Sequence, residues 1–134
     1  MNYAIDKTQK YPYLDGMYRL CKDGVGIGWI GEGARIGEGA WIGVDARIGE
    51  DAVIGEGAEI KSIYDYLTVG GIGSRQAMTT FYRCKYGLLR VNCGCFNGTL
   101  DEFEDAVHKT HAGNEHEKAY MAAIRMAREI MIHD

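Results

Sequence analysis

The chain has 134 residues, 46% of them hydrophobic, with 19 Gly and a single Pro. That length suits one compact domain or two very small ones, and Gly without Pro marks tight turns in a regular array, not a linker. The net charge of −4 hides a pattern: residues 1–65 carry 7 basic and 11 acidic side chains and residues 101–134 carry 4 and 8, whereas residues 66–100 carry Arg75, Arg83, Lys85 and Arg90 and no acid. An acidic chain with one wholly basic stretch lacks the broad basic surface that duplex DNA needs, and it points to a local pocket for a small anion. No apolar run approaches the ~20 residues of a membrane span. Met1–Lys7 has no basic flank followed by an apolar stretch, so no signal peptide is expected. Cys21, Cys84, Cys93 and Cys95 are irregularly spaced, which favours free thiols and a cytoplasmic setting.

Tyr18-Arg19-Leu20 reads as a strand that caps a repeat array. From Gly28 a six-residue pattern repeats in register: Gly28-Trp-Ile-Gly-Glu-Gly, Ala34-Arg-Ile-Gly-Glu-Gly, Ala40-Trp-Ile-Gly-Val-Asp, Ala46-Arg-Ile-Gly-Glu-Asp, Ala52-Val-Ile-Gly-Glu-Gly and Ala58-Glu-Ile-Lys-Ser-Ile. Ile recurs at positions 30, 36, 42, 48, 54 and 60, with a small residue two positions earlier on the same strand face. Ile fills an interior, the small residue fits where the wall turns, and Gly or Asp takes the turn conformation. One unit cannot bury its own face, so stacking is obligatory. The pattern resembles the left-handed β-helix of hexapeptide proteins, in which three units make a coil. Six units give about two coils. The lead-in from Tyr11-Pro12-Tyr13 to Gly28-Trp29-Ile30 also resembles that of phage-encoded hexapeptide proteins. Trp29 and Trp41, outside the Ile row, mark an interface between subunits, and a homo-oligomer is expected: a trimer or a trimer of dimers.

After Ile63 the period stops. Leu67–Val69 reads as a strand and Gly70–Gly73 as a bend; Thr79–Cys84 and Leu88–Cys95 alternate around Lys85-Tyr86-Gly87 as a hairpin. Leu89, Val91, Cys93 and Cys95 share one face, Arg90 and Asn92 the other. Thr99-x-x-Glu102 is a capping box opening a helix, which Gly113 ends, and Asn114-x-x-Glu117 opens a second helix running to about residue 132. The expected fold class is mixed β and α/β. A short left-handed β-helix with its cap (residues 1–65) precedes a small α+β ligand-binding domain, a β-meander plus two helices (residues 66–134).

Three chemistries compete. Hexapeptide acyltransferases generally use longer prisms and a His base at a subunit junction; here His108, His111, His116 and His133 all lie in the helical tail, which disfavours catalysis. Cys93-x-Cys95 with His108-x-x-His111 offers ligand types that zinc accepts, but the spacing is poor and small core cysteines explain it better; no metal is expected. Nucleotide binding fits best. Ser74 and Arg75 follow a glycine bend that presents backbone N–H groups to a phosphate. Arg83 and Arg90, facing each other across the hairpin, would repel unless an anion sat between them. Phe81, Phe96 and Phe103 offer stacking surface. Arg125 and Arg128 lie together on the second helix.

The tail motifs Ile72-Gly-Ser-Arg75, Thr79-Thr-Phe-Tyr82, Cys93-Gly-Cys-Phe96, Gly98-Thr-Leu-Asp-Glu-Phe103, His111-Ala-Gly-Asn114 and Tyr120-Met-Ala-Ala-Ile124 together resemble a small phage-encoded domain. It is similar to the first described class of anti-Thoeris phage sponge proteins. The resemblance spans roughly residues 67–131. It implies sequestration, without cleavage, of cyclic ADP-ribose isomers made by TIR-domain immune enzymes, with cyclic trinucleotides held by some members. It also implies dimers or trimers of dimers in the cytoplasm of an infected bacterium. The residues that carry over by motif are Arg75, Phe96, Phe103 and Asn114. No cofactor, polymeric nucleic acid or membrane partner is implied. The rival readings are a hexapeptide acyltransferase and a non-catalytic phage structural or oligomerisation protein.

Overall fold

The computed structural model describes residues 3–44, 46–72, 78–94 and 96–132. An N-terminal hairpin, β1 (Tyr3–Lys10) and β2 (Met17–Lys22), leads into β3 (Val25–Gly31). Five two-residue strands come next: β4 (Arg35–Ile36), β5 (Trp41–Ile42), β6 (Arg47–Ile48), β7 (Val53–Ile54) and β8 (Glu59–Ile60). Their pairing is parallel with a constant offset of three units: Ile30 lies beside Ile48, Ile36 beside Ile54 and Ile42 beside Ile60. The chain therefore returns over itself every third repeat, on three separate ladders. Two-residue strands hold only because each isoleucine is stacked on its counterpart and closed in by alanines. Ile30, Ile42, Ile48, Ile54 and Ile60 are buried with Ala40, Ala46, Ala52 and Ala58. Ile36 is only half-buried. The N-terminal hairpin extends the β3–β6 ladder. Asp51 takes a left-handed φ of 60° at a unit-closing turn, the conformation that Asp tolerates and most side chains resist.

Beyond a 3-10 turn at Ile63–Asp65 come β9 (Tyr66–Val69), β10 (Thr79–Arg83), β11 (Leu89–Cys93) and β12 (Phe96–Thr99), an antiparallel meander in chain order. Then come α1 (Leu100–His111) and α2 (Glu115–Met131). Thr99 and Glu102 form the reciprocal capping box, and Asn114 caps α2 by accepting from the N–H groups of His116 and Glu117. Alternation gives the meander two faces. Leu67, Phe81, Leu89 and Val91 pack beneath α1 and α2 with Phe103, Val107, Tyr120 and Ile124. Tyr66, Thr80, Tyr82 and Cys84 turn to the repeat, where Tyr82 and Cys84 are buried among its isoleucines.

This second face finishes the repeat stack. The outer edge of a parallel ladder leaves backbone N–H groups that the next coil would take up. Here Gly49 N–H donates to the Tyr66 hydroxyl (2.8 Å) and Val53 N–H to Thr80 Oγ1 (3.1 Å), while Lys61 N–H donates to Asp65 Oδ2 (2.8 Å) of the 3-10 turn before the sheet. At the other end Ile42 N–H donates to the Tyr3 hydroxyl (2.8 Å), and β2 pairs along the edge of β3. A Cβ on Gly55 would lie 2.0 Å from the Tyr82 hydroxyl oxygen and 2.5 Å from ring carbon Cζ, so only glycine lets the tail sheet approach this closely. Trp29 is half-buried, edge-on to Tyr11 (5.2 Å between centroids) and beneath the Arg19 guanidinium (4.9 Å). These contacts take up part of its surface within the chain, and Trp41 remains 38% exposed.

Candidate functional site

The tip of the β10–β11 hairpin stands beside the Glu56–Gly57 turn of the repeat. Between them is a shallow, open cleft of about 480 Å³ lined by Glu56, Gly57, Cys84, Lys85, Tyr86, Leu88, Arg90 and Asn97. The hairpin is closed by Cys84 N–H donating to the Leu88 carbonyl (2.7 Å). Arg90, half-buried on β11, donates to Asn97 Oδ1 (3.0 Å), while Asn97 Nδ2 donates to the Tyr82 hydroxyl (3.0 Å). The arginine is thus oriented by a relay anchored on the tyrosine that presses on Gly55. A carboxamide orients a guanidinium without neutralising it. Among the described residues neither Arg90 nor Lys85 has a carboxylate in salt-bridge contact. Glu56 is the one acid on the walls. Burial, the largest influence, pushes the Cys84 thiol up, so it stays protonated near neutral pH and is a poor nucleophile.

The other residues singled out from the sequence do not converge on this cleft. Ser74, Arg75, Cys95 and His133 lie outside the described residues. Phe81 and Phe103 are core residues: Phe103 meets Phe81 (6.2 Å) and Phe96 (5.2 Å), and only Phe96 is half-buried. Their rings are consumed by packing beneath the helices, which leaves Phe81 and Phe103 no free face for a base. Arg83 and Arg90 do not face each other. The register sets Arg83 opposite Leu89 and Arg90 opposite Tyr82, and side chains one position apart in register leave opposite faces of a sheet. Arg83 instead pairs with Asp65 (2.8 Å) and donates to the Met131 carbonyl at the end of α2. Asn114 spends its side-chain oxygen on the helix cap. Arg128 pairs with Glu104 (2.7 Å) and Asp101 (3.3 Å) on α1, whereas Arg125 is exposed. His108 Nδ1 contacts Glu117 Oε2 (2.9 Å) on the far side of the helical layer, and Cys93 Sγ accepts from Thr79 Oγ1 (3.2 Å).

Lys85, Tyr86, Glu56 and Asn97 are cleft residues that the sequence does not single out. The first two read as turn residues, and the others come to the cleft only through tertiary folding. Two signals for the site are present in the chain: the acid-free stretch that holds Lys85 and Arg90, and a tyrosine in a tight turn where Asn or Gly is usual.

The family model described as bacterial transferase hexapeptide (six repeats) matches residues 30–62. This segment is a hexapeptide-repeat region. The match stops where the period does, ahead of β9, so it describes the repeat and does not extend to the cleft-bearing sheet. No curated protein and no solved structure matches the chain. No helix among the described residues is long and apolar enough to cross a membrane.

Proposed function

We propose that this chain is a non-catalytic sequestering protein for a cyclic nucleotide second messenger, of the kind its tail motifs resemble in the anti-Thoeris sponge family. The observation that carries this reading is the pair of cations, Arg90 and Lys85, opening on one cleft, neither of them in salt-bridge contact with a carboxylate among the described residues, although the Arg90 charge acts on the nearby Glu102. They come from the acid-free stretch of the chain and outnumber the one acid on the cleft walls, Glu56, which favours a ligand phosphate as a further counter-charge. Arg75 is a further proposed phosphate ligand from the same stretch. In this reading residues 1–65 form a two-coil left-handed β-helix that serves as an oligomerisation peg, and residues 66–134 bind the ligand in the cytoplasm of an infected bacterium. Trp41 at 38% and Val44 at 69% exposure supply apolar surface for a trimer.

The test is capture. Protein purified from cells expressing TIR or cyclase enzymes is denatured, and the released small molecules are identified by mass spectrometry. Cyclic ADP-ribose isomers or cyclic trinucleotides are expected in the parent and depleted in Arg90→Ala. Release of no nucleotide in any of these strains overturns the reading. The family match at residues 30–62 also keeps a second reading in view, acyl transfer; turnover of an acyl-CoA by the purified parent would establish it in place of the first.

A further inference from the structure

Tyr86 does not belong where it is on local grounds. Its φ of 63° and ψ of 20° are left-handed, and Gly87 comes next with a φ of 75°. Leu88 N–H points back to the Lys85 carbonyl (3.4 Å). Two consecutive left-handed residues make the hairpin turn that Asn-Gly fills best and that a bulky side chain resists. Nor does burial compensate, because the Tyr86 side chain is wholly exposed. Backbone strain of this kind gathers at ligand sites, and Tyr86 stands on the wall of the cleft that holds Lys85 and Arg90.

We propose that Tyr86 is the base-stacking wall of this cleft, so that its ligand is a phosphorylated nucleoside and not a bare anion. The inference rests on the reading that the cleft binds an anion. The phosphate lies against Arg90 and Lys85. The base lies on the Tyr86 ring, whose two faces are open to solvent. Glu56, across the cleft, accepts from ribose hydroxyl or base N–H groups. Stacking on one aromatic ring strengthens binding roughly tenfold or more and tolerates different bases.

Calorimetry with adenosine monophosphate and with ribose 5-phosphate tests this on the full chain, comparing parent, Tyr86→Asn, Tyr86→Phe and Arg90→Ala. The parent is expected to bind the nucleotide roughly tenfold or more tighter than the sugar phosphate. Tyr86→Asn removes that preference while leaving the sugar phosphate unchanged, and Tyr86→Phe keeps it. Tyr86→Asn melts at or above the parent temperature, since Asn suits the turn; that separates a lost ring from a lost fold. If Tyr86→Asn binds the nucleotide as the parent does, the stacking wall is refuted while the anion site stands. If the parent takes up neither probe and Arg90→Ala still captures a cyclic nucleotide from cells, the ligand sits elsewhere: the inference falls and the sequestering function survives. If the parent binds no probe and captures nothing, both fall.

Discussion

The repeat and the tail solve the same problem, closing a small core, by opposite means. The repeat is built from units only six residues long, and after β3 its strands have two residues each. It is held by Ile-on-Ile stacking three units apart. Nothing in a repeat says where to stop, and every coil leaves an edge of backbone donors. The tail has no period, yet one face of its sheet carries Tyr66, Thr80 and Tyr82 at the places where the last coil needs an oxygen or a buried ring. The lesson is that a short stack of repeats at this scale is completed by a neighbour that supplies side-chain oxygens to the edge the repeat leaves open.

The comparison is broken most severely inside the repeat. Ile54→Asp puts a carboxylate with no partner into a site of 0% exposure, a cost of several kcal/mol; circular dichroism and gel filtration should find the chain unfolded or aggregated. A folded Ile54→Asp chain would mean that the core is not the source of stability. Next comes the junction. Tyr82→Ala empties the largest fully buried side chain and should cost about 3–5 kcal/mol in urea melts, as aromatic truncations do. Because the ring serves both parts, repeat and tail should melt together. Two transitions of unequal midpoint would show that the parts fold independently. Smaller again is Gly55→Ala, which forces a methyl into the Tyr82 hydroxyl at a cost of about 1–3 kcal/mol. Combining it with Tyr82→Phe should recover part of the loss, and simple additivity of the two would refute the contact.

The repeat is legible in the sequence because its rule is local. A residue every six positions announces what faces inward, and of the six isoleucines only Ile36 is half-buried. The helices are legible too, through Thr99–Glu102 and Asn114–Glu117. The meander's alternation gives its faces, but not what each face meets. Hence Arg83 and Arg90, both cations of one hairpin, look opposed in the sequence, although the register parts them and hands Arg83 to Asp65 from before the sheet. The cleft is illegible for a similar reason: Glu56 and Arg90 are 34 positions apart and meet only because the sheet docks on the second coil.

The smallest effect lies in the helical layer, far from the junction, and it sharpens the contrast by leaving the repeat untouched. His108 of α1 sits against Glu117 of α2 and also faces Glu104 and Asp105 of its own helix. The hydrogen bond to Glu117, its largest influence, raises the His108 pKa above the ordinary 6.5. The same contact lowers Glu117 below 4.5. A raised histidine contributes stability in full below its unfolded pKa and loses it as pH rises through the folded value; a lowered carboxylate contributes above its unfolded pKa and loses it as pH falls through the folded one. Both contributions are therefore complete between about pH 4.5 and 6.5. The pair is solvent-exposed, so its worth is small. His108→Ala should lower the melting temperature by no more than a few degrees near pH 5.5, and the gap should narrow by pH 8.5. A gap that stays constant across that range would assign the ring a packing role in place of a charged one. Binding at Arg90 should not change at either pH, because His108 and the cleft lie on opposite sides of the meander.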